Sequence, residues 1–220
     1  MKNVQYELII NEALRSALEY DIPDEQINEF IEFFGKHIGS DRIYIFEDNV
    51  KKKVTNNTYE WCNEGILPQK DMLQNVDFDV IGWWYDSFDK GESVIIPSVK
   101  ALKDIYPSTY DILSVQNVEN LVVIPLRYRD EISGFVGVDN PPLGNMESLS
   151  GFLDMIATLL ISLLKLRNSF RKSNEAAKLS SYAALAEIYM TMHLVNVKNG
   201  HYLAVKSIPE IDSCLQETDM

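Results

Sequence analysis

Cysteine is scarce in this 220-residue chain: Cys62 and Cys214 are the only two, far apart and without metal-ligand spacing. That fits a reducing compartment with two free thiols. Histidine is almost as rare. His37, His193 and His201 lack a second histidine or carboxylate at helix or finger spacing, so no metal site is expected. Positive charge is also short, with 20 Lys and Arg against 33 Asp and Glu and a net charge of −13. Such a surface repels phosphate backbones, which excludes nucleic acid as the expected partner. The basic runs at 51–53 and 127–129 are brief, flanked by acids, and read as solvated strand ends or turns. No charged N-terminal region precedes an apolar run, and nowhere do about 18 uncharged apolar residues follow one another. A cytoplasmic location without membrane contact is expected. Neither a Ser-His-Asp arrangement nor a glycine-rich phosphate loop occurs, and no cofactor is implied.

What is present is a large apolar fraction, 46%, ample for a core. The organising stretch is 120–142, NLVVIPLRYRDEISGFVGVDNPP, where strands over 121–128 and 132–138 flank a polar turn at Arg129, Asp130 and Glu131. Both parities of the first strand are apolar, so both sheet faces should be covered. Gly134 and Gly137 permit close approach to the second strand, and Asp139 with Asn140 reads as a turn after which Pro141 and Pro142 stop the ladder.

Helices are expected over 4–19 and from Pro23 to Gly39. In the second, Ile27, Phe30, Ile31, Phe34 and Ile38 form one stripe and Asp21 and Asp24 supply capping acids. Strands follow at 42–47 and 55–61, an irregular loop at 63–77, a helix at 78–88, a short strand at 93–96, and a helical segment at 100–113 interrupted by Pro107. Asp77 and Asp79 fit capping of the 78–88 helix rather than catalysis.

From Met146 a long helix carries a heptad seam, Phe152, Ile156, Leu159, Leu163, Leu166 and Phe170. Leu153, Leu160 and Leu164 give a second apolar face, so one stripe can cover the sheet and the other a partner subunit. A homodimer is expected; burial of the whole helix within a large domain is the alternative. The polar stretch 169–175 predicts a break or hinge. Near the end, 193–197 and 201–205 flank Asn199 and Gly200, a strong hairpin signal. With only some fifteen residues beyond it, this tail is expected to open a truncated domain.

The order of elements, together with SDRIYIFE at 40–47, VIIP at 94–97 and LVVIPLRYRDEISGFVGVDNPP at 121–142, resembles a GAF domain over roughly residues 5–168. These stretches look like the GAF domains that precede diguanylate cyclase domains in bacterial signalling proteins, and the tail resembles the start of a PAS-like segment. The resemblance implies an α+β fold, with a six-stranded antiparallel sheet covered by helices on both faces, a long C-terminal helix and a terminal β-hairpin. The implied organisation is a GAF-like sensory domain with flanking helices at 1–168, a helical linker at 169–192, and a hairpin and tail at 193–220. The implied function is non-catalytic sensing of a small molecule of unknown identity, transmitted through a dimeric C-terminal helix to an output domain. The alternative is a ligand-free GAF dimerisation scaffold. No Gly-Gly-Asp-Glu-Phe or Glu-Ala-Leu signature occurs, so neither synthesis nor breakdown of cyclic dinucleotides is expected of these residues.

Trp61, Trp83, Trp84, Tyr85, Tyr106 and Tyr110 come from regions that cover the pocket face in GAF domains and are the candidate ligand contacts. Any of them could instead simply fill core. The Asn-Lys-Phe-Asp-Glu signature of cyclic-nucleotide-binding relatives cannot be laid on this chain. Cys62 has no adjacent histidine, as bilin attachment would favour, and Cys62 and Cys214 lie in different expected units, which disfavours a reductase-like cysteine pair.

Overall fold

Strand alternation in the central hairpin sets the architecture. In the computed structural model, which describes residues 6–129, 131–188, 192–195 and 202–206, β5 (Leu121–Tyr128) and β6 (Glu131–Asp139) pair antiparallel at the middle of a six-stranded sheet. With β1 (Arg42–Asn49), β2 (Val54–Cys62), β3 (Val76–Asp77) and β4 (Val94–Ile96), the strand order is β3-β2-β1-β6-β5-β4, every neighbouring pair antiparallel. The two-residue β3 lies within the stretch expected to be irregular. Asn140, at φ 52, turns the chain out of β6 as its residue type allows.

Period-two alternation divides the apolar residues between two cores. Ile43, Ile45, Val122, Ile124, Leu126, Val136 and Val138 join the core under α1 (Tyr6–Ala17), α2 (Pro23–Ile38) and α5 (Met146–Ile188). Tyr44, Phe46, Leu121, Val123 and Phe135 join the other, under α3 (Gly82–Asp89) and α4 (Pro107–Ser114). Pro107, expected to interrupt a helix, begins α4, where its missing N–H costs nothing. The expected helix at 78–88 is a 3₁₀ turn, Phe78–Val80, followed by α3, and Asp77 accepts from the Asp79 N–H as a cap.

No side chain caps the N-terminus of α2, contrary to expectation: Ile22 holds the N-cap position. Asp24 instead accepts from the Tyr59 hydroxyl at 2.5 Å. At the other end Gly39 adopts φ 73 and its N–H bonds Gly35 O. Gly39→Ala is expected to cost about 1 kcal/mol, read from urea unfolding, because a Cβ disfavours the left-handed conformation while leaving every contact intact.

Residues 169–175 are helical in α5, so the expected break is absent. The physical reason is that 152–188 holds neither Gly nor Pro, and Ser and Asn cost a helix only about 0.5 kcal/mol each. The chain nevertheless divides into two units, Met1–Arg167 and Asn168–Met220. In the first, Leu149, Leu153, Ile156, Ala157, Leu160 and Leu164 form the α5 stripe buried in the helix-side core. Ile156, expected on the seam offered to a partner, is 1% exposed and belongs to that core. Phe152, Leu159 and Leu163 are half-buried against it, whereas Leu166 and Phe170 are exposed. Met146–Ser181 is apolar and long enough to cross a membrane by length and composition alone, but the stripe packed on the sheet accounts for much of that apolarity. In the second unit β7 (Met192–Val195) and β8 (Tyr202–Lys206) pair antiparallel. The expected turn at Asn199 and Gly200 lies outside the described residues.

Candidate functional site

The sheet face beneath α3 and α4 is aromatic because β1 and β6 both place large rings there. Phe46 stacks on Phe135 at 4.8 Å between centroids, Tyr44 meets Phe46 edge-on at 5.5 Å, and Trp84 of α3 meets Phe135 edge-on at 5.6 Å. Gly137 makes room: a Cβ there would fall 2.1 Å from the Tyr44 ring. A cavity of about 40 Å³ remains among Tyr44, Phe46, Trp84, Leu113 and Phe135, with Arg42, Gln116 and Asp139 at its polar side. Those last three also line an adjoining cavity of about 160 Å³ with Asp41 and Asn140.

The polar side follows from strand register. Arg42 begins β1 and Asp139 ends β6, and the two are paired residues across the ladder. Arg42 Nη1 donates to Asp139 Oδ2 at 2.8 Å and to Gln116 Oε1 at 3.2 Å, and Nη2 donates to Leu67 O at 3.0 Å. Glu60 Oε1 stands 3.5 Å from Arg42 Nε, and all three charged side chains are nearly fully buried. Burial pushes the Asp139 carboxyl up to about 6, with Arg42 pulling the other way. Tyr44 titrates well above its ordinary range, through burial first and then the neighbouring Asp139.

Three atoms of residues lining this cavity lack hydrogen-bond partners among the described residues: Trp84 Nε1, Asp139 Oδ1 and Arg42 Nε, the last standing 3.5 Å from Glu60 Oε1 in an ion pair. The Tyr44 hydroxyl lies beside Asp139 and favours its ionised form, but without hydrogen-bonding geometry to Oδ1. Buried polar atoms in folded proteins are nearly always hydrogen-bonded, so each of these atoms calls for a partner.

Of the six aromatic residues singled out in the sequence, only Trp84 lines this cavity. Trp83 stacks on Tyr106 at 4.3 Å and donates to Thr109 Oγ1 at 3.1 Å, which fastens α3 to α4. Tyr85 donates to Asp48 Oδ1 at 2.8 Å, tying α3 to β1, and burial holds its hydroxyl far above the usual range. Tyr110 borders an open depression of about 510 Å³ beside Lys100 and Lys103. Trp61 lies on the opposite sheet face against α2, where a Cβ at Gly35 would come 2.2 Å from its ring. Strand parity decides this, since Trp61 and Tyr59 share a face. The residues that sequence reasoning missed are Arg42 and Asp139. Asp139 reads as a turn residue, and its partner is 97 positions away.

A second polar network sits on the helix side. Arg167 of α5, 3% exposed, donates bidentately to Glu47 at 2.6 and 2.7 Å and to the Tyr59 hydroxyl at 3.1 Å. Tyr59 is pushed up to about 12, by burial and by its bond to Asp24. Glu47 and Asp48 are consecutive on β1, so the Tyr85 and Arg167 bonds grip one strand end from opposite faces.

No protein-family model matches the chain. A relative 26% identical over 154 residues is the Methanogenesis regulatory histidine kinase FilI of Methanothrix harundinacea; the match covers 64% of this chain and 17% of that protein. Among solved structures, the GAF domain of a phosphoenolpyruvate-protein phosphotransferase from Coxiella burnetii is similar, with a TM-score of 0.61 at 9% identity, over 78% of this chain and 99% of that one. A far-red absorbing dark-state structure with bound biliverdin is similar with a TM-score of 0.60 at 10% identity, over 73% of this chain and 99% of that one. The chain has the fold of GAF domains, an α+β sheet of six antiparallel strands with a long C-terminal helix.

Proposed function

We propose that this chain is a non-catalytic, cytoplasmic sensory domain of a longer signalling protein, with its ligand held between the sheet and α3. The observation that carries the reading is the aromatic cavity whose lining includes unpartnered buried polar atoms, Trp84 Nε1 and Asp139 Oδ1 among them. The histidine kinase relative and the biliverdin-bound neighbour support sensing as a role compatible with this fold. The output we propose is a histidine kinase or a diguanylate cyclase, the first from the relative and the second from the sequence resemblance. Native mass spectrometry of the purified chain, followed by denaturation of the same sample, tests the sensor: release of a defined small mass is expected.

One observation favours a second reading, a dimerisation scaffold with a filled core. The cavity of about 40 Å³ has room for about one water molecule, far below the several hundred Å³ of a typical ligand site. A chain that releases no small mass and binds nothing at Trp84 would support the scaffold.

Transmission is proposed to run through α5. Outward movement of α3 pulls Asp48 through Tyr85, and the neighbouring Glu47 passes the displacement to Arg167. We also propose a homodimer through the outer face of α5, where Met155 is 59% and Leu166 50% exposed. The double substitution Met155→Glu and Leu166→Glu is expected to weaken self-association at least tenfold in analytical ultracentrifugation. The unfolding midpoint should hardly change, because neither side chain lies in the core.

A further inference from the structure

The hydrogen-bonding demand of the cavity narrows what it can hold, an inference that rests on reading this cavity as the ligand site. Trp84 and Asp139 are 3% and 2% exposed, and each presents one unpartnered atom, a donor at Nε1 and an acceptor at Oδ1. Of the neighbouring polar groups, Thr109 and Gln116 are already engaged, and the Tyr44 hydroxyl lies beside Asp139 without hydrogen-bonding geometry to Oδ1. Thr109 Oγ1 donates to Val80 O and accepts from Trp83. Gln116 Oε1 accepts from Arg42, and its Nε2 donates to Ile112 O. Both terminal nitrogens of Arg42 have partners, and its Nε, without a hydrogen bond, faces the Glu60 carboxylate at 3.5 Å. An occupant that meets both Trp84 Nε1 and Asp139 Oδ1 offers one acceptor and one donor.

Charge removes further classes. Asp139 and Glu60 flank the one guanidinium, so an anionic group entering here would meet two buried carboxylates against a single cation. An ammonium group would satisfy Asp139 but leave the Trp84 N–H without an acceptor. A hydrocarbon would leave both atoms unpaired.

We propose that the cavity takes a small flat molecule with a carboxamide or lactam edge, its carbonyl oxygen accepting from Trp84 Nε1 and its N–H donating to Asp139 Oδ1. One planar group then meets both demands without adding charge. The rings of Tyr44, Phe46, Trp84 and Phe135 line the space and suit a flat body. Entry of a ring into a cavity of about 40 Å³ requires Trp84 and α3 to move outward. That is the movement the Tyr85–Asp48 bond would register on β1.

Three single-ring probes of similar size and different charge test the class: benzamide, benzoate and benzylamine. The readout is the indole N–H resonance of Trp84 in the ¹⁵N-labelled full chain, assigned by its absence in Trp84→Phe. Benzamide is expected to shift that resonance and to bind at least tenfold more tightly than either charged probe. Trp84→Phe, monitored through backbone resonances lining the cavity, is expected to weaken benzamide about tenfold through loss of one buried hydrogen bond. The comparison among probes uses the unaltered protein and so does not depend on that variant folding. Benzoate or benzylamine binding as tightly as benzamide at Trp84 would overturn the ligand class and leave the cavity reading standing. No response to any probe, with the Trp84 indole unmoved, would overturn both.

Discussion

Replacing Arg42 by methionine is expected to lower the unfolding free energy of the sheet domain by about 3–5 kcal/mol at neutral pH, the usual cost of breaking a buried ion pair from one side. The two carboxylates left behind fare differently. Glu60 keeps three donors, the Asn57 side chain and the Gln69 and Lys70 backbone N–H groups. Asp139 Oδ2 loses Arg42, its one side-chain donor of hydrogen-bonding geometry among the described residues. Asp139 must then take up a proton or stand as a buried unpaired charge, and its neutralisation should hold the loss near the lower end of that range. Urea unfolding of the two proteins measures it, and a loss below about 1 kcal/mol would show that Arg42 does not hold the β1–β6 junction.

The same carboxyl predicts a pH dependence of defined sign. Asp139 titrates at about 6 in the fold against 3.8 for the free group, because burial favours its neutral form. Between those values the folded state binds more protons than the unfolded state, so this group's contribution to stability falls as pH rises through the window. The expected fall is on the order of 2–3 kcal/mol. Other carboxylates contribute trends of their own, so the measurement is the difference in stability between wild type and Asp139→Asn across pH 4 to 6 (roughly the window between the two titrations). That difference should decline with rising pH. A flat or rising difference would remove the raised carboxyl from the account.

The second large effect is expected at Arg167. Its substitution by methionine removes a bidentate ion pair to Glu47 and the bond to Tyr59, for a loss of about 2–3 kcal/mol. This is smaller than the Arg42 effect for a structural reason: the Glu47 side chain is 25% exposed and can rehydrate, and Tyr59 retains Asp24. Lysine should restore only part of the loss, because an ammonium cannot meet both Glu47 oxygens in the plane that the guanidinium matches. If the strand end couples the two sheet faces, Arg167→Met also raises amide exchange in α3, on the far side of β1. Tyr85→Phe reciprocally raises exchange around 160–167 in α5. Exchange changes confined to the mutated side in both variants would show that the two grips on β1 are independent.

Much of this fold is legible along the chain because its signals are local. Both-face burial of the central strand, the Pro23 start and Gly39 stop of α2, and the stripe through Ile27, Ile31 and Ile38 depend on neighbours within a few residues. The polar stretch 169–175 misleads for a related reason: its polarity suggests a break, but Gly or Pro is what interrupts a helix, and the stretch has neither.

The site is less legible because its members meet only through strand register and strand parity. Asp139 before Asn140 and two prolines has the local appearance of a turn, and nothing near it announces that Arg42 stands opposite across the ladder. Trp61 and Trp84 look alike as aromatic candidates, yet parity sends Trp61 under α2 while α3 carries Trp84 over Phe135. By itself the sequence determined most of the elements, their order and the two apolar faces, since short-range periodicity and sterics specify them; the two-residue β3 and the unbroken α5 were the exceptions. Only the tertiary structure decided which aromatic residues face the cavity, which carboxylate is buried beside a guanidinium, and which polar atoms are left without partners. Those outcomes arise from the pairing of residues far apart in the chain.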